Sequence, residues 1–200
     1  MKKLYRITCF LLCIALMLCL VACNGNSTQP TNESSQDSIS IVFSEKLLGV
    51  AEVSPEDWIE SLNNLGEGQY IDLYVNSDEK SVTLEVSETQ KDYWKSIIDQ
   101  GLQKLVADFR AIDSDYDIQY SEDYESVDLY YNLDLSATNA VYYVIYCEVY
   151  CAFGQLLNGA EPSSWLVSFN IYNSDTGKLV TSGDSETGMA YETSDWEASK

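Results

Sequence analysis

Apolar and polar residues change rhythm several times along this chain, and each change marks an element. ISIVFSEKLLGVAEV reads as a strand followed by a turn or short helix. SPEDWIESLNNLGEG then reads as a helix: Ser54 can cap it, Pro55 suits its first position, Glu56 and Asp57 complement its dipole, and Gly66 ends it. Trp58, Leu62 and Leu65 would share its buried face. From Tyr70 the period becomes two. Ile71, Leu73 and Val75 alternate with polar or tyrosine positions, and after Ser77-Asp78-Glu79 so do Val82, Leu84 and Val86, the pattern of a β-hairpin with one covered face.

A long helix is expected from about Gln90 to Ile112, capped by Ser87 or Thr89, with Trp94, Ile97, Ile98, Leu102, Leu105, Phe109 and Ile112 on one stripe. The grammar then repeats. Tyr116, Ile118 and Tyr120, then Val127, Leu129 and Tyr131, form a second hairpin, and a second long helix runs from about Ala137 to Asn158, ended by Gly159. A third hairpin joins Trp165, Val167, Phe169 and Ile171 through Ser174-Asp175-Thr176-Gly177 to Leu179 and Thr181. The order α-ββα-ββα-ββ predicts an α+β fold: an antiparallel sheet of about six strands with two long helices packed on one face.

The first residues follow a different rule. Lys2, Lys3 and Arg6 precede an uncharged run from Ile7 to Ala22, the layout of an export signal. Leu20-Val21-Ala22-Cys23 resembles the lipobox of bacterial lipoproteins, with a small residue before the cysteine and a polar stretch after it. Cys19, preceded by Leu18, does not fit. The resemblance covers only these 23 residues. It implies cleavage before Cys23, diacylglyceryl and palmitate attachment there, and an extracytoplasmic protein held by lipid to the outer leaflet of the bacterial cell membrane. Residues 1–22 would then be a signal peptide, 23–38 a lipidated flexible tether rich in Asn, Ser, Thr and Gln, 39–183 a single domain, and 184–200 an acidic C-terminal tail on which Tyr191 or Trp196 could dock.

Charge narrows the partners. The 200-residue chain carries 32 acidic and 11 basic residues, a net charge of −21. Loss of the first 22 residues, which hold three bases and no acid, leaves 178 residues and a charge of −24. Such a surface argues against nucleic acid and anionic lipid, which need clustered lysine and arginine. The long helix keeps Lys91, Lys95, Lys104 and Arg110 on its outer side, where they can satisfy nearby acids.

Chemistry has little to work with. Histidine is absent, which removes the commonest general base and the commonest zinc ligand. No phosphate loop, nucleophile elbow or cofactor motif is present, so no cofactor, metal or catalytic residue is assigned. Asp113, Asp115 and Asp117 imitate the opening of a calcium loop, but Ile118 stands where glycine is needed and Tyr124 where the bidentate glutamate belongs. Cys147 and Cys151, four apart on the second long helix, fit small apolar residues packed against the sheet.

The alternation leaves Tyr74, Tyr130, Asn132, Asn170 and Tyr172 pointing away from the helices among aspartates such as Asp72, Asp117 and Asp128. Amphipathic rings beside hydrogen-bonding groups suit a binding face for a glycan, a basic peptide or a neighbouring envelope protein. The alternative is an envelope hydrolase of glycosidase type using paired carboxylates, which would require two acids in one concave pocket.

Overall fold

The computed structural model describes residues 38–200. The signal-like leader, Cys23 and almost all of the expected tether lie outside the described residues. Seven strands and five helices follow in the order β1 (Ile39–Phe43), α1 (Glu45–Val50), α2 (Pro55–Gly66), β2 (Asp72–Asn76), β3 (Ser81–Val86), α3 (Glu88–Arg110), β4 (Asp117–Tyr120), β5 (Ser126–Tyr131), α4 (Ala137–Leu157), β6 (Ser168–Asn173), β7 (Leu179–Asp184) and α5 (Thr193–Ala198).

The fold is α+β, but the expected single antiparallel sheet of six strands is corrected to two sheets. The first has the order β1-β3-β2, antiparallel throughout, and the second has the order β4-β5-β6-β7. Within the second, β5 and β6 run parallel, with Val127 opposite Phe169 and Leu129 opposite Ile171. The three expected hairpins all form, because each is set by alternation and a short turn. Which hairpin lies beside which is a different matter, decided by what each must cover.

Helix α4 explains the division. Every residue from Tyr146 to Leu157 is buried. A helix apolar all round has no side to offer to water, so one sheet beneath it is insufficient cover. Helix α3, α1 and β1 all pack on it. Although α4 is long and apolar enough to cross a membrane, it is the centre of the hydrophobic core. Strand β1 joins the first sheet because Ile39, Ile41 and Phe43 fall opposite Val86, Leu84 and Val82. Phe43 meets Phe153 of α4 edge to face at 4.7 Å and lies 5.4 Å from Trp58 of α2, joining the first sheet, α2 and α4 through rings.

Local signals place the helix starts. Ser54 accepts a hydrogen bond from the Asp57 amide, Ser136 one from Asn139, and Ser87 with Gln90 forms a complete capping box at the start of α3. Beyond β7, the segment expected as a tail carries α5, whose Trp196 is 2 % exposed and packs on Tyr131 with ring centres 5.3 Å apart.

Candidate functional site

The open face of the four-stranded sheet arises directly from its alternation. On β5, Val127, Leu129 and Tyr131 turn inward and are buried, so Asp128 and Tyr130 turn outward. On β6, Phe169 and Ile171 turn inward, leaving Asn170 and Tyr172 outward. The parallel register sets Asp128 against Asn170 and Tyr130 against Tyr172. Asn170 Nδ2 donates to Asp128 Oδ1 at 2.8 Å. The two tyrosine rings stack with centroids 4.8 Å apart and planes 13° from parallel. Each ring thus spends one face on the other, and both side chains are half-buried.

The antiparallel partner β4 adds Asp117 opposite Tyr130 and Gln119 opposite Asp128. Arg110, at the end of α3, reaches the margin of this face and pairs with Asp117 at 2.7 Å. Burial raises the Tyr130 hydroxyl above its ordinary pKa, and the carboxylates of Asp128 and Asp117 and the Tyr172 phenol add to the shift. The ring therefore stays a neutral donor at physiological pH. At the far end of β5, Asn132 accepts from the Tyr116 hydroxyl at 2.8 Å and donates to Asp175 at 3.3 Å.

Of the five expected binding residues, Tyr130, Asn170 and Tyr172 come together on one patch, with Asn132 just beyond the end of β5. Tyr74 is elsewhere: it lies on β2 of the other sheet, opposite Thr83, with its hydroxyl 3.3 Å from Glu85 Oε1. The broad tyrosine face expected from one sheet is therefore two separate faces. Asp128, Asp117 and Arg110 complete the patch that does form.

A groove of about 450 Å³ runs beside this face between α3 and the free edge of β4, lined by Gln103, Val106, Ala107, Arg110, Ile118, Gln119 and Tyr120. No carboxylate lines it. Glu148 on α4 is the one acid among the described residues pushed up to about 7, by burial, with Lys46 opposing the shift. It has no carboxylate partner influencing it, so it does not make half of an acid pair. Asp113 accepts the Asp115 amide and Asp117 is engaged by Arg110, so the three aspartates that imitate a calcium loop do not converge. Among the described residues no cluster of three potential metal ligands occurs.

Cys147 and Cys151 are free thiols buried in the core. Burial pushes Cys151 up to about 12 and Cys147 well above its ordinary value, so neither is a nucleophile. Sequence reasoning passed over Glu148, though it is the only charge in the run Ala140–Asn158, and over Lys46 as a partner, whereas Arg110 pairs with an acid, Asp117, as the basic outer side of its helix led one to expect. A solitary acid within an apolar helix is a signal that could have been read.

Comparison with protein-family models, curated proteins and solved structures finds no match to this chain.

Proposed function

We propose that this protein is a lipid-anchored, extracytoplasmic binding module of the bacterial cell envelope, tethered through Cys23 and engaging a basic polypeptide segment with the open face of its four-stranded sheet. The observation that carries the reading is the Tyr130–Tyr172 stack framed by Asp128 and Asp117. A tyrosine ring accepts a guanidinium or ammonium by cation–π contact, and a neighbouring carboxylate completes the ion pair. The net charge of −24 left by cleavage before Cys23 draws such a partner in over longer range. The absence of histidine and of any acid pair lining the groove gives the hydrolase reading no support.

The test is an isotope-labelled titration with an arginine-rich and a lysine-rich oligopeptide, with soluble peptidoglycan fragments and neutral oligosaccharides as comparisons. The basic peptides are expected to shift the resonances of Tyr130, Asn170 and Tyr172. Tyr130→Ala and Asp128→Asn should each weaken binding about tenfold, consistent with one cation–π or charge-assisted contact, and rising salt should weaken it further. Binding of the glycans alone at this face, or basic-peptide binding indifferent to both substitutions, would overturn the partner class. Anchoring is tested separately: palmitate labelling should vanish in Cys23→Ala.

A further inference from the structure

Strand β4 is an edge of the four-stranded sheet, and helix α3 forms the opposite wall of the groove that runs along it. Gln103, Val106, Ala107 and Arg110 recur at the spacing of one helical stripe, beside the buried stripe of Leu102, Leu105 and Phe109. Facing them across about 450 Å³ are Ile118 and Tyr120, the inward side chains of β4, so the walls are mainly apolar. The Ser121 amide bonds to Ser126 of β5, and that register commits the backbone of Asp117 and Gln119 to β5. The amides and carbonyls of Ile118 and Tyr120 therefore turn to the open edge. Asp117 Oδ1 holds the Ile118 amide at 2.9 Å, and the Tyr120 amide stays turned to the groove.

Building on the reading that the protein engages a basic polypeptide segment, we propose that this segment docks as an added strand along β4, with apolar side chains at alternate positions filling the groove and basic ones between them beside Asp117. Residues paired across neighbouring strands point to the same side. Positions opposite Ile118 and Tyr120 thus enter the groove, and positions opposite Asp117 and Gln119 lie on the open face. There they continue the rows that Asp117 shares with Tyr130 and Gln119 with Asp128. Main-chain bonds to the edge supply affinity, and the alternation supplies selectivity.

Charge selects the occupant. Asp113 and Asp115 precede β4, Asp117 opens it, and Glu122, Asp123 and Glu125 follow it. The bases nearby on α3, Lys104 and Arg110, are already paired with Asp108 and Asp117. A positively charged strand is therefore drawn to both ends of the edge. Asp117 adds a second reason, because its carboxylate blocks the Ile118 donor. A basic side chain laid beside it competes with Arg110 for that carboxylate and draws it off the amide, so the strand that carries positive charge opens the donor it then uses. A second copy of the chain would bring the same acids to the same edge. The polar stretch at residues 24–38 has no apolar side chain except Pro30 with which to fill the groove.

The test is amide hydrogen exchange and peptide titration of the full-length protein in non-ionic detergent. The probes are a peptide alternating lysine and valine, the same residues arranged in blocks, the alternating peptide methylated on its backbone nitrogens, and a neutral peptide alternating threonine and valine. The alternating lysine peptide is expected to slow exchange at the Tyr120 amide, to shift Val106 and Ala107, and to bind about tenfold more tightly than the block or methylated peptide. Ala107→Gln alters only an exposed helix position but narrows the groove, so it should weaken binding several-fold where Ala107→Ser does not. The neutral peptide should bind the parent weakly. Asp117→Ala should strengthen it while weakening the lysine peptide, a crossing that loss of structure would not produce. Shifts confined to Tyr130, Asn170 and Tyr172, with Tyr120 exchange unchanged, would overturn the added strand and leave the reading of the open face standing; no binding of any basic peptide would overturn both. Protection of Tyr120 that needs no peptide and grows with protein concentration would assign the edge to a second copy and overturn the proposal.

Discussion

Gly154 marks the closest approach between α4 and the loop joining β4 to β5. A methyl group there would lie 2.5 Å from Tyr124 Cδ2. The Tyr124 ring has little freedom to retreat, because the residue sits at φ 63°, its hydroxyl donates to Asp99 at 2.7 Å, and its carbonyl accepts from Gln155 Nε2 at 2.7 Å. Gly154→Ala is therefore expected to cost about 2–3 kcal/mol in urea unfolding, an overpacking penalty; a cost below about 0.5 kcal/mol would show that the loop yields more readily than its three ties suggest. Glu148 supplies a second prediction at this scale. Its carboxyl rises from an ordinary 4.5 to about 7 on folding, so the folded state holds a proton that the unfolded chain releases earlier. Its contribution is then fully present below about pH 4.5, declines as pH rises through the interval to about 7, and is flat above. Integrated over the shift, the loss is on the order of 3 kcal/mol. The stability difference between parent and Glu148→Gln should therefore grow in favour of glutamine from about pH 4.5 to 7; a difference constant with pH would refute the raised carboxyl.

Both sheets have edge strands that begin with an aspartate folded back on its own backbone. Asp72 Oδ1 accepts the Leu73 amide at 2.8 Å on β2, and Asp117 Oδ1 accepts the Ile118 amide at 2.9 Å on β4. On β4 the Ser121 amide bonds to Ser126 of the neighbouring strand, so the alternate residues Ile118 and Tyr120 turn their amides to the open edge. Asp117 thus blocks one of the donors that a foreign strand would use. Paired Asp72→Ala and Asp117→Ala substitutions should produce concentration-dependent self-association in light scattering, while the parent remains unchanged over the same range. Elements of this kind also divide what sequence could foretell from what it could not. Hairpins and caps depend on neighbours within a few residues, and Ser54, Ser87 and Gly66 all announced themselves. The pairing of β5 with β6 depends on residues about forty apart, and alternation carries no information on partners at that distance. The clue lay instead in α4, whose unbroken apolar run called for cover on every side. The candidate site follows the same division: Tyr130 and Tyr172 were legible as outward residues, but their stacking depended on that parallel register, and Tyr74 was assigned to their face only because one sheet was assumed.

At the scale of the whole molecule, the acidic last residues complete the core. Trp196 packs on Tyr131 and, at 6.0 Å, on Tyr191, and the Tyr131 hydroxyl donates to that of Tyr191. Asn173 at the end of β6 donates to Ser199 Oγ at 3.0 Å, and Thr176 in the following turn donates to the Ser199 carbonyl. Tyr131 is the inward neighbour of Tyr130 on β5 and also contacts Phe109 of α3, so α5 closes the layer directly beneath the candidate face. Size and polarity of the tryptophan can be separated here, because its indole nitrogen is buried with no acceptor among the described residues. Trp196→Phe gives up some area but also an unsatisfied donor, and it should cost no more than about 1.5 kcal/mol. Trp196→Ala opens a cavity against Tyr131 and should cost about 3–5 kcal/mol. If α5 were a passive tail, both substitutions would leave urea unfolding unchanged. If it closes the core, Trp196→Ala should also broaden the resonances of Tyr130 and Tyr172, which it does not touch, because the strand that carries them loses its inner support.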